Sequence, residues 1–502
     1  MNSVAALLFS VVTMICSFYV RAVLARVLES DFVGLEGFFA NVIGVFSLTE
    51  LGFSTAIAYC LYKPVHDNED GTVSAIMHYF KKIYFAVGGV IGVLSILFSF
   101  VIQFFFKGEV ITPGYLRCAF LIYSMGVSLS YFWAYNRTLV YVIQKNYIVL
   151  LIDIVVKFVS SIITAYILYH SRNYLLYLVI VSIARIVSNF FITLFVKYRI
   201  RMVSNPEDIS DELKKEIKIQ VKSLAVTNAC YLGVASTDNI IIASILGSLE
   251  LAKNSGYSAL IQAGMSIVNS GLRGASASIG DLIAEGNTNK TRKYFERYVF
   301  LYNYTASLCA VGFCILSNSV IEIWLGKIYV FDTLVIIAIS SALYIQLLYQ
   351  PLGEFINLGG LFSEYRRYAI GGPILNLVLS VFLSISLGIS GVFIGTVITY
   401  LYMCIVMLSI LSHRLIYLSV KKYVFLQIRS LIHTISVIGI MNFCYLNINS
   451  MICDIIIKFI LIVLIHTMVA ILLYCRDEDY RYFISLIKSY IFKRRRIPND
   501  SN

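Results

Sequence analysis

Long apolar stretches, recurring along the chain and broken by short polar segments, set the reading of this sequence. The runs are about 20–27 residues long, the length a helix needs to cross the hydrocarbon core of a bilayer. They do not alternate with period two as an outer-membrane barrel would. Helices are therefore the spanning solution left, because lipid supplies no water to satisfy an open backbone. The pattern predicts an all-α polytopic membrane protein of about fourteen spans. They are expected near 4–28, 35–61, 83–106, 118–136, 147–169, 174–196, 223–246, 255–281, 298–317, 333–356, 369–387, 391–412, 430–446 and 455–474.

Composition agrees: 59% of the 502 residues are hydrophobic and 14% are charged, against about a quarter charged in soluble domains. Mean hydropathy is +0.82. The net charge of +12 invites a nucleic-acid reading, but its placement argues otherwise. Of the 40 Lys and Arg, the even-numbered loops and the tail hold 29 and the odd-numbered loops hold 5. Arg21, Arg26, Lys157, Arg185, Arg273 and Lys458 fall within spans. By the positive-inside rule both termini are expected in the cytoplasm, and no nucleic-acid partner is expected. The ten cysteines are scattered without a C-x-x-C pair and read as small apolar packing residues. Asn136-Arg137-Thr138 has the form of a glycosylation acceptor but sits at the cytoplasmic end of a span. The N-terminus reads as the first span and not as a signal peptide, since it has no basic start and no small-residue cleavage site.

The loops exclude several function classes. The longest exterior loop, 318–332, is too short for the folded exterior segment expected of a sugar polymerase or ligase. The longest cytoplasmic connection, Lys197–Lys222, carries Asn205-Pro206-Glu207-Asp208 and then an amphipathic charged stretch, and reads as a linker with a surface helix. No segment is long enough for a nucleotide-binding domain, and no phosphate-binding Gly-rich loop occurs. No catalytic residue, metal ligand or cofactor is expected.

Two segments resemble each other. Gly52–Ile57 aligns with Gly274–Ile279 at an offset of 222, and His78–Lys82 aligns with Lys293–Arg297 after a shorter loop. Either two amphipathic segments coincide by chance, or the chain repeats after six spans. The even spacing gives the two copies one orientation, related by an axis along the membrane normal. The repeat predicts a six-helix lobe over 1–197, a linker over 198–222 and a second six-helix lobe over 223–413. Two further helices over 414–475 and a basic cytoplasmic tail over 476–502 would follow.

An ionisable group at mid-bilayer costs about 2.5–3.5 kcal/mol on insertion scales, so each one asks for a reason. The eighth span places Ser258, Gln262, Ser266, Asn269, Arg273 and Ser276 on one stripe of a helix. Such a stripe must face protein, as hydrogen-bonding glue, or a water-filled cavity, and the Arg favours the cavity. Asp238 ends a shorter polar face in the seventh span. Asp153 and Lys157, like Asp454 and Lys458, lie four residues apart, where each pair could neutralise itself on its own helix. The cavity candidates are Arg273, Asn269, Gln262, Arg21, Asp238, Glu50, Lys157 and Arg185. Asp281 and Glu354 are further intramembrane acids, Asp281 interfacial.

Ser236-Thr237-Asp238-Asn239-Ile240, Ala277–Glu285 and Ile323-Trp324-Leu325-Gly326 resemble segments of Wzx-type oligosaccharide flippases. So do Glu50-Leu51-Gly52, Leu61-Tyr62-Lys63-Pro64 and Gly391–Thr396, and the resemblance covers nearly the whole chain. That family belongs to the multidrug/oligosaccharidyl-lipid/polysaccharide exporter superfamily. The resemblance implies two six-helix lobes related by a pseudo-two-fold axis plus two helices, and alternating access around a central cavity. It also implies an undecaprenyl-pyrophosphate-linked glycan as cargo, a bacterial plasma (inner) membrane location, a coupling ion (H+ or Na+) and a polysaccharide polymerase as partner. It carries over no site residue. A lipid II flippase and a cation-coupled multidrug exporter are the alternatives within the superfamily, and a membrane-embedded polymerase or glycosyltransferase is the alternative outside it. Arg273 is the residue expected to meet the cargo's pyrophosphate or an acidic sugar of the cargo, its planar fork suiting an anion.

The basic asymmetry yields the first prediction. Reporter fusions after Lys107, Lys253 and Lys327 should score as exterior, and fusions after Lys215, Lys421 or the tail as cytoplasmic. Opposite scores at two or more of these sites would overturn the topology.

Overall fold

The computed structural model describes the chain except residues 1, 48–52, 107–110, 201, 204–208, 212–213, 216, 218–236, 273–278, 280–281, 284, 417–418, 445–449 and 494–502. Every regular element among the described residues is a helix. Eleven of these helices are long and apolar enough to cross a membrane. The remaining expected spans have local explanations. The second reaches the structure as two shorter helices, and the seventh falls largely outside the described residues. The eighth forms a helix of 25 residues, Ser248–Leu272, but its polar stripe keeps it below the apolarity of the eleven. The chain divides into two compact units, Met1–Ala259 with Asn376–Val392, and Leu260–Leu375 with Phe393–Asn502.

The first unit contains α1 (Asn2–Val27), α2 (Ser30–Phe46), α3 (Phe53–His66), α4 (Asp70–Ser99), α5 (Pro113–Val142), α6 (Asn146–Ser171) and α7 (Tyr174–Arg199). Helix α5 starts where Pro113 occupies the first turn and the Thr112 hydroxyl accepts from the Tyr115 amide. It lies between α4 and α7, while α1 packs on α6 and α6 on α7. Small residues allow these approaches. The Ser128 hydroxyl donates to the Gly88 carbonyl at 2.7 Å, and a methyl group on Gly126 would overlap the Ser182 side chain. Hydrocarbon offers helices no hydrophobic gain on association, so such close backbone contacts supply the dispersion energy instead. Phe80, Leu61, Ile76, Leu139 and Ile192 form a buried cluster, into which Ile209 and Ile217 of the linker also pack.

The second unit receives the end of α8 (Ser248–Leu272) and is built on α9 (Thr288–Trp324) and α10 (Thr333–Leu358). It continues through α11 (Phe362–Ala369), the start of α12 (Gly371–Leu387), α13 (Ile389–Arg414), α14 (Val420–Phe443), α15 (Met451–Tyr474) and α16 (Glu478–Lys493). Helix α9 has 37 residues, about 55 Å at 1.5 Å per residue, so it overshoots the hydrocarbon core. Its charged first turns meet α14 and α16 through Lys422–Glu296 at 2.7 Å, Lys293–Glu478 at 3.3 Å and Arg297–Asp479 at 3.5 Å. Burial first and the nearby Glu296 second push the Asp479 carboxyl up from its ordinary value. Helices α9, α14 and α15 pack around Val311, Val437, Met441, Ile462 and Val469.

Along α15 the opposite face leaves Ile452, Ile456, Ile460, Leu464, Met468 and Leu472 exposed, Leu472 at 78%. In water such a stripe would aggregate; in a bilayer it is the lipid face.

Candidate functional site

The polar interior of the first unit is assembled by stripes at helical spacing. Helix α6 presents Asp153, Lys157, Ser160, Ser161 and Thr164, and α7 presents Tyr177, Val181, Arg185, Ser188 and Asn189. With Glu36 of α2, Arg137 of α5 and Thr13 of α1 they enclose a cavity of about 380 Å³.

Its charges are not evenly paired. Arg137 grips Asp153 through two parallel bonds of 2.8 Å, and its Nε donates to the Asn189 side-chain oxygen at 2.5 Å. The Ser188 hydroxyl donates to the same carboxylate. This bidentate, charge-assisted arrangement satisfies both partners and fixes the facing edges of α5, α6 and α7. Glu36 accepts from the Tyr177 hydroxyl at 3.1 Å. Arg185 lies over the Tyr123 ring at 4.4 Å and donates to its hydroxyl at 3.0 Å through one arm. Its other arm, Nη1, is buried without a hydrogen-bond partner among the described residues. Lys157 lines the cavity and forms no ion pair among the described residues. Three cations thus meet two carboxylates, leaving Lys157 without an ion pair and Arg185 with one arm unpartnered among the described residues.

A second hollow of about 750 Å³ lies at the ends of α3, α5 and α6, lined by Tyr62, Tyr141, Asn146, Arg137 and Asp153. The Arg137–Asp153 pair lines both hollows and stands between them.

Of the eight residues singled out from sequence, the structure brings Lys157 and Arg185 together here. Arg21 instead donates to the Ser255 carbonyl of α8. Asp238 is half-buried at the start of the short helix Thr237–Leu246. Gln262 is exposed and Asn269 half-buried on the stretch of α8 in the second unit, whose adjacent face packs Ile261, Met265 and Val268 on α9 and α10. Arg273, Glu50 and Asp281 lie outside the described residues. Glu354 accepts from the Tyr298 hydroxyl at 2.8 Å.

Asp153 and Lys157 do not neutralise each other, because Arg137 supplies a forked partner that a single ammonium cannot match. Lys458 and Asp454 do pair on one helix, at 2.7 Å. The fourth expected span ends at residue 136, just before Arg137, whereas α5 continues to Val142. The signal available was the uninterrupted apolar run Leu139–Val142 that follows Arg137.

No protein-family description and no curated protein sequence matches the chain. Its fold does match solved structures. A lipid II flippase, MurJ, in an inward closed conformation superposes with a TM-score of 0.66 at 14% identity, covering 93% of this chain and 99% of that one. An inward-facing multidrug-resistance transporter of the MATE family and MOP superfamily gives 0.65 at 12%, covering 81% and 96%. A MOP-superfamily transporter from Pyrococcus furiosus, described as having a binding pocket of reversed polarity, gives 0.58 at 11%, covering 81% and 92%. The chain therefore has the fold of the MOP-superfamily transporters, a multi-pass membrane architecture, and the solved proteins named here that share it are transporters and a flippase.

The ion pair gives the second prediction. Replacing either Arg137 or Asp153 by Leu strands the other charge, so each single variant should lower the melting temperature of the purified protein. The double variant should lose less than the sum, with a coupling of about 0.5–3 kcal/mol. Additive losses would show that the two side chains do not depend on each other.

Proposed function

We propose that the chain is a flippase that carries a lipid-linked oligosaccharide, with an undecaprenyl-pyrophosphate anchor, from the cytoplasmic to the exterior leaflet of a bacterial plasma membrane. The cargo would serve assembly of a cell-surface polysaccharide such as a capsule or O-antigen. The observation that carries this reading is the meeting of Lys157, which has no ion-pair partner among the described residues, with the free arm of Arg185 on one polar cavity of the first unit. Retaining them in a membrane interior is costly unless an anion completes them. A pyrophosphate offers several acceptor oxygens to a guanidinium and an ammonium at once. The polyprenyl tail needs no cavity, since it stays in lipid.

A step follows from the hollow that shares Arg137 and Asp153 with the cavity. An anionic head group entering past Tyr62 and Tyr141 would meet Arg137 first and compete with Asp153 for it. It would then be drawn toward Lys157 and Arg185, neither of which is held in an ion pair among the described residues. In alternating access, two lobes and two added helices would rearrange around this head group while the glycan passes in water. A cationic drug is a poor fit, because the cavity's net charge is positive and like charges at close range repel strongly in low dielectric. A lipid II cargo has a similar anionic head; the greater coverage of this chain by the flippase fold keeps that reading alongside the first.

The third prediction tests the cargo. In a strain lacking the chromosomal copy, the wild-type gene should restore surface polysaccharide, and Lys157→Ala and Arg185→Ala should each cut export at least about tenfold. That is the loss of one charge-assisted hydrogen bond of about 1.5 kcal/mol. Arg185→Lys should retain part of the activity, and immunoblots should show unchanged membrane levels. Near-normal export by the double variant Lys157→Ala/Arg185→Ala would refute the reading. Restoration of peptidoglycan synthesis in place of surface polysaccharide would assign the lipid II cargo.

A further inference from the structure

A second buried polar centre lies in the other unit, where the last two apolar helices face each other. His433 of α14 and His466 of α15 sit near the middle of their helices, 1% and 0% exposed. Their rings are 4.3 Å apart between centroids, tilted by 37°. His433 Nε2 lies 3.2 Å from the His466 carbonyl oxygen, which can only accept, so this nitrogen carries the hydrogen. The Nδ1 of His433 then presents a lone pair, and it has no hydrogen-bond partner among the described residues. Neither ring nitrogen of His466 has one either. A histidine kept only for packing would be expected to have its ring nitrogens satisfied, and a leucine would fill the space without leaving polar atoms bare.

The surroundings are polar on one side and uncharged at contact distance. From α9, Tyr304 sets its ring edge against His466 at 4.6 Å. From α14 and α9, Thr434 donates to the Ser307 hydroxyl at 2.9 Å, and Ser430 accepts from Tyr344 of α10 at 2.8 Å. From α15, the Tyr474 ring packs on His433 at 5.5 Å. The charges closest along the helices are Arg429, which lies over the Tyr474 ring at 4.5 Å, and Asp477, which pairs with Arg429 at 2.8 Å. Arg429 is thus neutralised by its own partner, and no carboxylate touches either imidazole among the described residues.

We infer that His433 and His466 form a proton-binding site inside the membrane that takes up a single proton between them. The proton comes from water, forms one new N–H bond at a bare ring nitrogen, and leaves by the reverse step, so no other reactant is required. One proton and not two is dictated by distance, because a second positive charge beside the first in a dry interior is strongly disfavoured. The row Asp477–Arg429–Tyr474 links the pair to the α15–α16 corner, the end of the spans where the charged helix α16 begins. Proton uptake charges a contact that is now neutral, so it alters how tightly α14 and α15 hold to each other and to α9. Use of this site as the coupling site for transport rests on the cargo reading above; proton binding itself does not.

The full-length protein, labelled with 15N in its histidine rings and reconstituted in lipid, provides the test. The chain has six histidines, and spectra of His433→Gln and His466→Gln assign the two of interest. As the pH is lowered from about 8 through the range in which the protein stays folded, the two rings should change together in one step, and that step should vanish in either variant. His466→Phe, which keeps an aromatic ring in the contact, should also abolish it while preserving the fold. The same variants should flatten the pH dependence of export while retaining export at alkaline pH. Rings that stay neutral across the range in folded protein, or that titrate separately without influencing each other, would overturn the inference. A shared step in protein that exports nothing would uphold the proton site and count against the cargo reading alone.

Discussion

A bilayer supplies no water to a stranded polar group, and this single constraint organises the chain. It selects helices, since only they satisfy their own backbones locally. It also turns the ordinary surface rule outward, so that α15 shows a full stripe of Ile, Leu and Met to lipid. With no hydrophobic gain available between helices, cohesion falls to small residues such as Gly88 and Gly126 and to buried hydrogen bonds. Where polar groups are retained they are mostly closed into networks, as Arg137, Asp153, Ser188 and Asn189 are. Among the groups left open in the described residues are one arm of Arg185 in the first unit and the imidazoles of His433 and His466 in the second.

Much of the architecture was legible in the residues because span length and apolar composition are strong, repeated signals. Composition and hydropathy suffice for an all-helical polytopic protein, and the pair Asp454–Lys458 could be read from spacing alone. The site was only partly legible. Lys157 and Arg185 were identifiable as charges inside spans, but their shared cavity depends on which faces of α6 and α7 meet, which one-dimensional spacing does not contain. Arg137 was misplaced because apolar content marks where lipid begins and not where a helix ends. Its capture of Asp153 from Lys157 reflects a three-helix contact that an i,i+4 rule cannot anticipate. Arg21 shows the converse case, a membrane arginine spent on a backbone carbonyl.

The two open centres suit different tasks. On the readings proposed above, Lys157 and Arg185 would take an anion, whereas His433 and His466 would take up a proton. A machine that moves an anionic head group needs the first and can be driven through the second, and each lies within a unit of its own. The flippase and transporter structures named above share the fold of this chain.

The central claim is that the first unit's cavity holds the anionic head of a lipid. The most direct measurement is binding of an isoprenyl pyrophosphate to the purified protein in detergent, followed by native mass spectrometry beside the corresponding isoprenyl alcohol. The account predicts that the pyrophosphate binds, that the uncharged alcohol does not compete with it, and that the variant Lys157→Ala/Arg185→Ala loses the binding. Equal binding of the alcohol, or undiminished binding of the pyrophosphate by that variant, would contradict it.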